Sequence, residues 1–522
     1  MARTKETMPA GHGELVCRPA FEEWAAGARA NAEAAATWEF LLCDAPVGPI
    51  RAMARADAIE SAREFSARLG VDVREVADEP ALIAVTGHQP EFYHPGVWIK
   101  DFLLQRFSEE SGAAAIDIMV DSDGFDTLEV HSPCLKPDVR VCRSYLAVGT
   151  SDGYFAHTPV PPAEALETFA DGVAEQLASL PSPAIGHHFA TFREHLGTAA
   201  ADAENAAELV TFARRRYEAS AGTDYLELPL TSLSRSRAFA VFAAHIALDA
   251  GAFAGAYNAA LAEYRTRTGV RNAAQPFPDL RVEGDLVELP LWHLSAEGRV
   301  PVWARTGEWP ALVVGGEVVC DLGMSAVAPL AVMASPLVLA PKALTLTMFT
   351  RLLVADWFVH GVGGGRYDQV TDDVIRRYFG VEPPAFAVAS LTMYLPLGAH
   401  VVRDEEIEAV AMGLNRLKHN PDQMLDEIEF DTAEEHDRAV ALAGEKASLV
   451  SAIAAPDADK KSLGARIREV NDALAAMLAP IEEQMTAELE QLRALREAGE
   501  VLTDRTYPFC LWSPGEIADK AR

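Results

Sequence analysis

A strand–helix–strand pattern between residues 82 and 120 constrains the fold of this chain more than any other feature. Residues 82–86 and 116–120 are short β-type apolar runs. Between them, apolar side chains recur at helical spacing, at Ile99, Phe102, Leu103 and Phe107. Two strands and a helix within about forty residues predict a βαβ unit with parallel strands. Ligands of open parallel sheets bind beyond the carboxyl ends of the strands, so polar residues there are the first site candidates.

Composition is that of a folded, acidic protein. Of 522 residues, 49% are hydrophobic and 23% are charged, and this length suits roughly three domains. The formal net charge of −32 argues against a surface that binds nucleic acid or an anionic membrane. A phosphate-bearing ligand therefore needs a local site of backbone N–H groups and a few basic side chains.

Cysteine spacing and apolar runs predict the compartment. The six cysteines are scattered and form no CxxC pair, which predicts reduced thiols. The first nine residues contain no apolar run typical of a signal peptide, and Gly and Pro interrupt the long uncharged runs at 322–341 and 386–402. We therefore expect a soluble, cytoplasmic protein with no membrane partner.

The first 400 residues are predicted to form an α/β core with a helical N-terminal region and a β-rich insertion at about 270–325. Two hairpins are expected in the insertion, turning at 295–298 and at 315–316. Hydroxyl groups of residues 231–234 are expected to cap a helix that continues to Leu248. Another helix is expected over 342–358.

The charge and apolar pattern of the sequence changes after residue 400. An acidic helical region opens at 424–429, and apolar residues recur at three- and four-residue steps in 442–453 and 467–495. Over 401–500 this pattern predicts an antiparallel coiled coil that serves as a scaffold or as the arm of a homodimer. The aromatic tail, 501–522, is expected to dock on the core.

The strongest candidate site follows the first predicted strand. A glycine at the strand end permits close backbone approach, and the following helix is expected to offer free N–H groups to an anion. Imidazoles and a lysine add donors for phosphate. The residues concerned are Thr86, Gly87, His88, Gln89, His94 and Lys100.

Three carboxylates follow the second predicted strand, at Asp121, Asp123 and Asp126. Carboxylates gathered at a strand end repel one another unless a cation offsets the charge. They are therefore interpreted either as Mg²⁺ ligands, with Asp121 and Asp123 binding the metal, or as holders of an amine. A solvated acidic turn is the alternative interpretation.

A glycine-rich segment supplies the third candidate, since glycines before a helix form a loop whose amides can bind phosphate. The loop spans residues 360–365, and a helix is expected over 367–379. The predicted phosphate-binding residues are Gly361, Gly363, Gly364, Gly365 and Arg366. The spacing does not match the dinucleotide-binding GxGxxG motif.

These motifs, in this order, resemble the cysteine-adding enzymes of bacillithiol synthesis, the BshC family of cysteine ligases. The resemblance rests on residues 84–90, on the strand ending in 121–129, on the stretch from Ser335 through the glycine-rich loop, and on the C-terminal coiled coil. It implies a Rossmann-like core similar to nucleotidyltransferases, and a coiled-coil arm used in dimerisation. Family members join cysteine to the amino group of glucosaminyl-malate.

The chain departs from the family pattern within the expected site. The family usually has Thr-Gly-Gln-Gln where this chain has His88 as the third residue, and Gly124 and Phe125 lie where the family has a histidine. An acidic residue usually follows the family's glycines, whereas Arg366 does so here. Residues 88–92 are also similar to the WbqC-like proteins of surface-polysaccharide clusters.

The first functional hypothesis is a BshC-like ligase that binds a nucleotide or a phosphorylated, sugar-derived substrate and forms an amide-type bond, with cysteine as a candidate substrate. His88, Asp123 and Asp126 would act in catalysis, Lys100 and Arg366 would balance phosphate charge, and Mg²⁺ and a nucleotide would be cofactors. One alternative is a catalytically silent assembly or regulatory protein acting through its coiled coil. Another is a glycan-synthesis enzyme that uses a nucleotide sugar and Mn²⁺ at the DxD spacing of Asp121 and Asp123.

Overall fold

The computed structural model describes residues 8–136, 138–150, 153–272, 275–398, 402–425, 430, 432–455 and 457–522. Within the chain, contacts define two units. The first comprises Met1–Cys134, Val141–Pro396 and Arg505–Arg522. The second comprises Leu135–Arg140 and Leu397–Asp504.

Strands and helices are numbered here in chain order. The strands are β1 Glu14–Arg18, β2 Leu41–Leu42, β3 Ala45–Pro46, β4 Ile83–His88, β5 Ala114–Met119, β6 Thr127–Cys134, β7 Arg140–Val148, β8 Leu226–Pro229, β9 Val282–Glu283, β10 Leu286–Ser295, β11 Gly298–Arg305, β12 Ala311–Val314, β13 Glu317–Asp321, β14 Leu339–Pro341, β15 Trp357–His360 and β16 Ala387–Thr392. The helices are α1 Trp24–Ala35, α2 Val47–Ser66, α3 Pro95–Ser111, α4 Ala163–Leu177, α5 Pro183–Ala199, α6 Ala206–Glu218, α7 Leu230–Leu233, α8 Arg237–Leu248, α9 Ala250–Thr268, α10 Ala328–Ala334, α11 Ala343–Phe349, α12 Val362–Val374, α13 Asp404–His419, α14 Ala433–Ile453, α15 Lys460–Leu502 and α16 Pro514–Ala521.

The first unit contains a six-stranded sheet in the order β1, β16, β15, β4, β5, β8. Strands β16 to β8 are parallel to their neighbours, and β1 pairs antiparallel with β16. The mixed α/β class and the βαβ unit of β4, α3 and β5 are thus confirmed. The chain winds from β4 to β8 on one side and later from β15 to β16 on the other. The winding reverses between β4 and β15, where open parallel sheets bind ligands.

Side chains of β4 alternate between two layers of helices. Ile83 and Val85 belong to an apolar cluster that also contains residues of α2, α8 and α9. Thr86 lies on the other face, where Lys100 of α3 reaches it. Because both faces are covered, burial of apolar surface stabilises the sheet on two sides, as is usual for parallel strands.

The predicted helix over residues 342–358 is confirmed as far as Val354 and is wrong only for its last four residues. α11 continues into a π-helical turn, Thr350–Val354, and the chain then forms β15 inside the sheet. All four residues of β15 are buried. A strand that is buried on both faces is apolar throughout, so periodicity does not distinguish it from a buried helix.

The glycine-rich segment after β15 is helical, which corrects the predicted loop. α12 begins at Val362 with Gly361 as its N-cap, so Gly363, Gly364 and Gly365 lie in the first turn. Each glycine costs a helix about 1 kcal/mol relative to alanine. At position 364 packing explains the choice, because a Cβ would lie 3.0 Å from His360 Nδ1.

The expected helix cap at residues 231–234 is also displaced. α8 begins at Arg237, and Ser236 Oγ accepts a hydrogen bond from the Phe239 N–H at 3.2 Å. The earlier hydroxyl groups lie in the short helix α7, and Thr231 binds a carboxylate described below. A run of several serines and threonines offers several caps, and local sequence does not choose among them.

The β-rich insertion forms a second, antiparallel sheet in the order β13, β12, β11, β10, β14, with β9 paired to β10. The two predicted hairpins are confirmed as β10–β11 and β12–β13. The sheet extends beyond the predicted end at residue 325, because β14 pairs with β10. This pairing connects the insertion to the segment that leads into α11.

Two cysteines form a disulfide, so the prediction of six reduced thiols is wrong for this pair. Cys134 ends β6 and Cys142 lies in the neighbouring strand β7, with 5.9 Å between their Cα atoms. The spacing of eight residues carries no recognised disulfide motif. The hairpin brings the two side chains together. Cys17, Cys43, Cys320 and Cys510 are free thiols.

The second unit contains α13, α14 and α15. The predicted halves of the helical hairpin fall in α14 and α15, and α13 adds a helix that the sequence reading did not separate. α13 runs antiparallel to α15, because Asp404 pairs with Arg496 at 2.6 Å while Gly413 lies against Met485. The predicted opening at 424–429 falls largely outside the described residues, as does Pro456.

The aromatic C-terminal segment belongs to the first unit. Tyr507, Phe509 and Trp512 are buried, and the Phe509 N–H donates to the Tyr93 carbonyl at 2.8 Å. The Phe509 ring contacts Trp98 of α3 with 5.3 Å between ring centroids. The segment therefore fixes α3, the helix that follows β4.

Among the described residues, no single helix has both the length and the apolar character needed to cross a membrane. α8 and α9 meet the length and composition criteria only as a pair, and they bend by 89° where they join. Both helices contribute buried residues to the main apolar cluster of the first unit, including Phe242 and Phe253.

Candidate functional site

A cavity of about 1010 Å³ lies where the winding of the parallel sheet reverses. We call it the switch-point cavity. Its walls come from the ends of β4, β5 and β15, the first turns of α3 and α12, and the insertion. Its polar and glycine residues are Gly87, His88, Gln89, His94, Gly96, Lys100, Ser122, Asp123, Asp279, Arg281, Glu288, Trp292, Arg299, Lys342, Thr347, His360, Gly361, Gly363, Gly364 and Ser390.

Lys100 reaches the end of β4 from α3 and is only 2% exposed. Its ammonium donates to Thr86 Oγ1 at 3.0 Å and to the Gly87 carbonyl at 3.1 Å. Burial lowers the pKa of Lys100. Glycine is required at 87, because a Cβ would lie 3.0 Å from the Ile118 carbonyl oxygen. The first motif thus places a cation at the base of the cavity.

His88 enters the cavity as a neutral imidazole. Burial, followed by the nearby Lys100 ammonium, lowers its pKa to about 3. Its Nδ1 lies 3.1 Å from the Gln89 carbonyl oxygen, and its ring meets Tyr93 edge-on with 5.0 Å between centroids. At neutral pH His88 therefore provides hydrogen bonds and shape but no charge.

The first turn of α3 differs from the expectation of free N–H groups. His94 Nδ1 accepts from the Gly96 N–H at 3.0 Å, and the His94 carbonyl accepts from Val97 and Trp98. Pro95 has no N–H to offer. This helix start is thus capped by the protein itself, and His94 serves as its N-cap.

The first turn of α12 is open, by contrast. The Gly365 N–H donates to the Gly361 carbonyl at 2.9 Å. The N–H groups of Val362, Gly363 and Gly364 have no acceptor within the described part of the chain, as expected for the first turn of a helix. Gly365 is buried and Arg366 is exposed, and neither lines the cavity.

The three carboxylates after β5 are not gathered around one point. Asp121 Oδ1 accepts from the Thr231 N–H at 2.9 Å, and its Oδ2 accepts from the Thr231 hydroxyl. Burial raises the pKa of Asp121 to about 6. Its two oxygens therefore tie the end of β5 to the end of β8, and a role as metal ligand does not fit this arrangement.

Asp123 lines the cavity, whereas Asp126 is exposed and does not. Asp123 accepts from Gln89 Nε2 at 2.9 Å and pairs with Arg299 at 2.6 Å. Across the described ranges, no group of three or more His, Cys, Asp or Glu side chains is arranged to hold a metal ion.

The β-rich insertion supplies one wall of the cavity, with residues that the predicted site did not include. Glu288 accepts from Arg281 at 2.9 Å and from Lys342 at 2.8 Å, and the Lys342 ammonium lies 4.3 Å from the Trp292 ring centroid. Burial alone would raise the pKa of Glu288, but hydrogen bonds from Lys342 and Arg281 lower it. Arg281 reaches Glu288 across the neighbouring strands β9 and β10, whereas Lys342 comes close only through the antiparallel pairing of β10 with β14, which local patterns do not reveal.

His360 is another cavity residue that the predicted site did not include. It ends β15, and its Nε2 lies 3.0 Å from Asp368 Oδ2 in α12. Thr347 and Arg351 also donate to Asp368, and together with His360 they lower the pKa of this buried carboxyl despite its burial. The available signal in the sequence is a histidine at the end of an apolar run. The predicted helix over residues 342–358 covers most of that run and so hides the strand.

A buried ion network holds the helices behind the cavity. Arg214 of α6 binds Asp101 at 2.9 Å, Asp117 at 3.0 Å and Glu227 at 2.5 Å. These partners lie on α3, β5 and β8, so one guanidinium connects four elements. Burial raises the pKa of Asp101 and of Glu227, against the attraction of Arg214.

Comparison with known proteins adds no assignment: no protein-family model and no curated protein matches this chain. The function must therefore be argued from the cavity. Two of the motifs that carry the resemblance to the BshC family border it, since residues 84–90 include the end of β4 and residues 335–365 include β15 and the start of α12.

Proposed function

We propose that the protein is a BshC-like ligase that binds a nucleotide or a phosphorylated, sugar-derived substrate in the switch-point cavity and joins an amine to it through an amide-type bond. Cysteine is a candidate substrate. The observation that carries the proposal is the open first turn of α12, in the same cavity as the buried ammonium of Lys100, at the reversal of a parallel sheet. We place the reaction in the cytoplasm.

The sheet supports this class of ligand. Numbered by their order in the chain, the parallel strands run 3-2-1-4-5, as in Rossmann-like folds that bind nucleotides at the reversal point. Helix N-termini attract phosphate through free N–H groups and the helix dipole. The α12 turn therefore replaces the α3 turn as the phosphate site in this proposal, and Arg366 has no part in it.

The cavity has room for two small substrates, because drug-sized ligands occupy about 300–1000 Å³. Four basic and three acidic side chains line it, so its charge suits an anion in spite of the strongly negative chain. Asp123 and the residues of the insertion wall belong to other segments of the chain than the α12 turn. They line the same cavity and offer positions for the amine. In bond formation, a nucleoside triphosphate would transfer its terminal phosphoryl group to a carboxylate and leave as the diphosphate. The amine nitrogen would then attack the carbonyl carbon of the resulting acyl phosphate, lose a proton and displace phosphate.

A thermal-shift screen tests the proposal. ATP, sugar phosphates and cysteine are added singly and in pairs, with and without Mg²⁺. A ligand present at about 100 times its Kd stabilises the native state by about 2.7 kcal/mol, which raises the melting temperature by several degrees. Absence of a shift with every phosphorylated compound would overturn the proposal.

Two cation variants locate the ligand. Lys100→Met should weaken binding of the phosphorylated compound about tenfold or more, because a charge-assisted hydrogen bond is lost. Arg366→Ala is the control. Arg366 lies near the start of α12 but outside the cavity, so this variant should bind the compound as the wild type does. Equal loss in both variants would contradict the placement.

We further propose that the second unit mediates a homodimer. It carries exposed apolar side chains at Met412, Val440, Val450 and Leu495. Single exposed apolar residues are common on protein surfaces, so the proposal rests on the coiled-coil pattern of α14 and α15, and these four positions are the ones that a partner chain would cover. A purely structural or regulatory role for the protein would use the same surface, and would leave the cavity without a ligand.

A further inference from the structure

The starting observation is a histidine whose two ring nitrogens lie in different surroundings. His360 is 6% exposed, and its Nε2 lies 3.0 Å from Asp368 Oδ2. Asp368 also accepts from Thr347 Oγ1 at 2.6 Å and from Arg351, so it is held as a carboxylate. A carboxylate only accepts, and Nε2 therefore bears a proton and donates to it.

The other nitrogen faces the open turn of α12. Nδ1 has no hydrogen-bond partner among the residues the structure describes, and it lies 3.0 Å from where a Cβ on Gly364 would be. The free N–H groups of Val362, Gly363 and Gly364 belong to the same turn. An unpartnered nitrogen of a buried histidine, facing a cavity beside free N–H groups, marks the position of a polar ligand group.

The Lys100 ammonium borders the same cavity from the end of β4. It donates to Thr86 Oγ1, which donates to the Val359 carbonyl at 2.9 Å. Val359 immediately precedes His360, so this hydrogen-bond chain reaches the backbone of β15 next to His360, and Lys100, His360 and the α12 turn all line one cavity.

We infer that this cluster binds the dianionic phosphate of a phosphate monoester, with His360 taking up a proton so that Nδ1 donates to the phosphate. The inference rests on the proposed function and names its substrate class. Imidazolium, ammonium and the helix dipole together match two negative charges, whereas a phosphodiester or a monocarboxylate carries only one.

The charged and titratable groups around His360 agree with this charge balance. Asp368 from α12 faces Nε2 and stabilises an imidazolium. Phe358 of β15 and Phe386, which precedes β16, contact the ring with centroids 4.4 and 4.9 Å away. Lys100 from α3 and the neutral His88 from β4 line the same cavity.

Isothermal titration calorimetry with sulfate tests proton uptake, because sulfate stays dianionic near neutral pH. The titration is run at slightly alkaline pH in two buffers of different ionisation enthalpy. The wild type should take up close to one proton per sulfate, and His360→Asn should take up none and bind about ten to one hundred times more weakly. Methyl phosphate should bind at least tenfold more tightly than dimethyl phosphate.

A second variant guards against misfolding of His360→Asn. Gly364→Ala keeps the backbone N–H but places a methyl group against Nδ1, and should weaken sulfate binding by at least tenfold. Gly251→Ala, in the first turn of α9 with nothing within 4 Å of the new Cβ, is the matched control and should bind as the wild type does.

The outcomes separate the two proposals. If sugar phosphates stabilise the wild type while His360→Asn binds sulfate with unchanged affinity and proton uptake, this subsite is wrong and the proposed function stands. If neither sulfate nor any phosphorylated compound binds the wild type, both fall.

Discussion

Asp121 is buried with both carboxylate oxygens on Thr231, and its pKa of about 6 lies above the ordinary value of 3.8. Between about pH 4 and pH 6 the folded chain therefore binds more protons at this site than the unfolded chain. The site's contribution to the free energy of unfolding falls as pH rises through this window, by roughly 2–3 kcal/mol in all. Denaturant unfolding of wild type and Asp121→Asn should show a difference that changes by this amount between pH 4 and pH 6.

Thr231→Ala tests the same site by removing the hydroxyl group that donates to Asp121. Its hydroxyl stabilises the ionised carboxylate, so its loss should raise the pKa of Asp121 and steepen the pH dependence. Parallel pH profiles for wild type and Asp121→Asn would show that Asp121 does not titrate in this window.

At the residue scale, sequence reasoning located part of the candidate site. The ends of parallel strands share one edge of the sheet, so Gly87, Lys100, Asp123 and Gly364 could be expected near one another, and all line one cavity. The sequence does not predict that His94 caps its own helix, because a histidine beside a proline is compatible with many contacts. Lys342 meets the site only through long-range strand pairing.

At the scale of elements, Arg214 joins α6 to α3, β5 and β8 through ion pairs with buried carboxylates. Removing one member of a buried ion network leaves uncompensated charges, which costs about 3–5 kcal/mol. Arg214→Met should therefore lower the free energy of unfolding by about this amount in denaturant titrations of the whole chain.

Arg193→Met on the neighbouring helix α5 is the control. Arg193 pairs with Asp171 at 2.7 Å, their side chains are 39% and 70% exposed, and exposed ion pairs contribute about 0–1 kcal/mol. Similar losses in the two variants would mean that the buried network is not what holds these elements together.

The hairpin of β6 and β7 carries a further prediction, made by thiol counting. Unfolded without reductant, the chain should expose four thiols, and after reduction six, because Cys134 and Cys142 are bridged. In the native state the four free thiols should alkylate slowly, since burial raises the pKa of Cys17 and of Cys43 to about 11. Six thiols without reductant would contradict the disulfide.

Elements with a clear local signature were predictable, and elements defined by burial were not. The amphipathic stripe of α3 and the glycine turns of the insertion follow from local spacing and turn chemistry. β15 and β16 are buried at every position, so no alternation marks them. The missed strand β15 is also the one that places His360, which explains why the fold error and the site error coincide.

At the scale of the whole molecule, the proposed homodimer assigns a role to the second unit. Val440 and Val450 of α14 are 48% and 49% exposed, so a charged side chain at either position would disturb an interface without entering the unit's own core. Light scattering after gel filtration should give the wild type twice the chain mass of 56.3 kDa. Val440→Glu with Val450→Glu should give the single-chain mass.

A matched pair of substitutions in the first unit tests whether any added charge dissociates the protein. Met324 and Leu330 are 76% and 65% exposed, so Met324→Glu with Leu330→Glu changes net charge and exposed apolar area in the same direction. This variant should remain dimeric, because the contact is assigned to the second unit. A monomeric wild type, or dissociation by the first-unit pair alone, would contradict the assignment, and equal ligand binding by monomer and dimer would show that the switch-point cavity is complete within one chain.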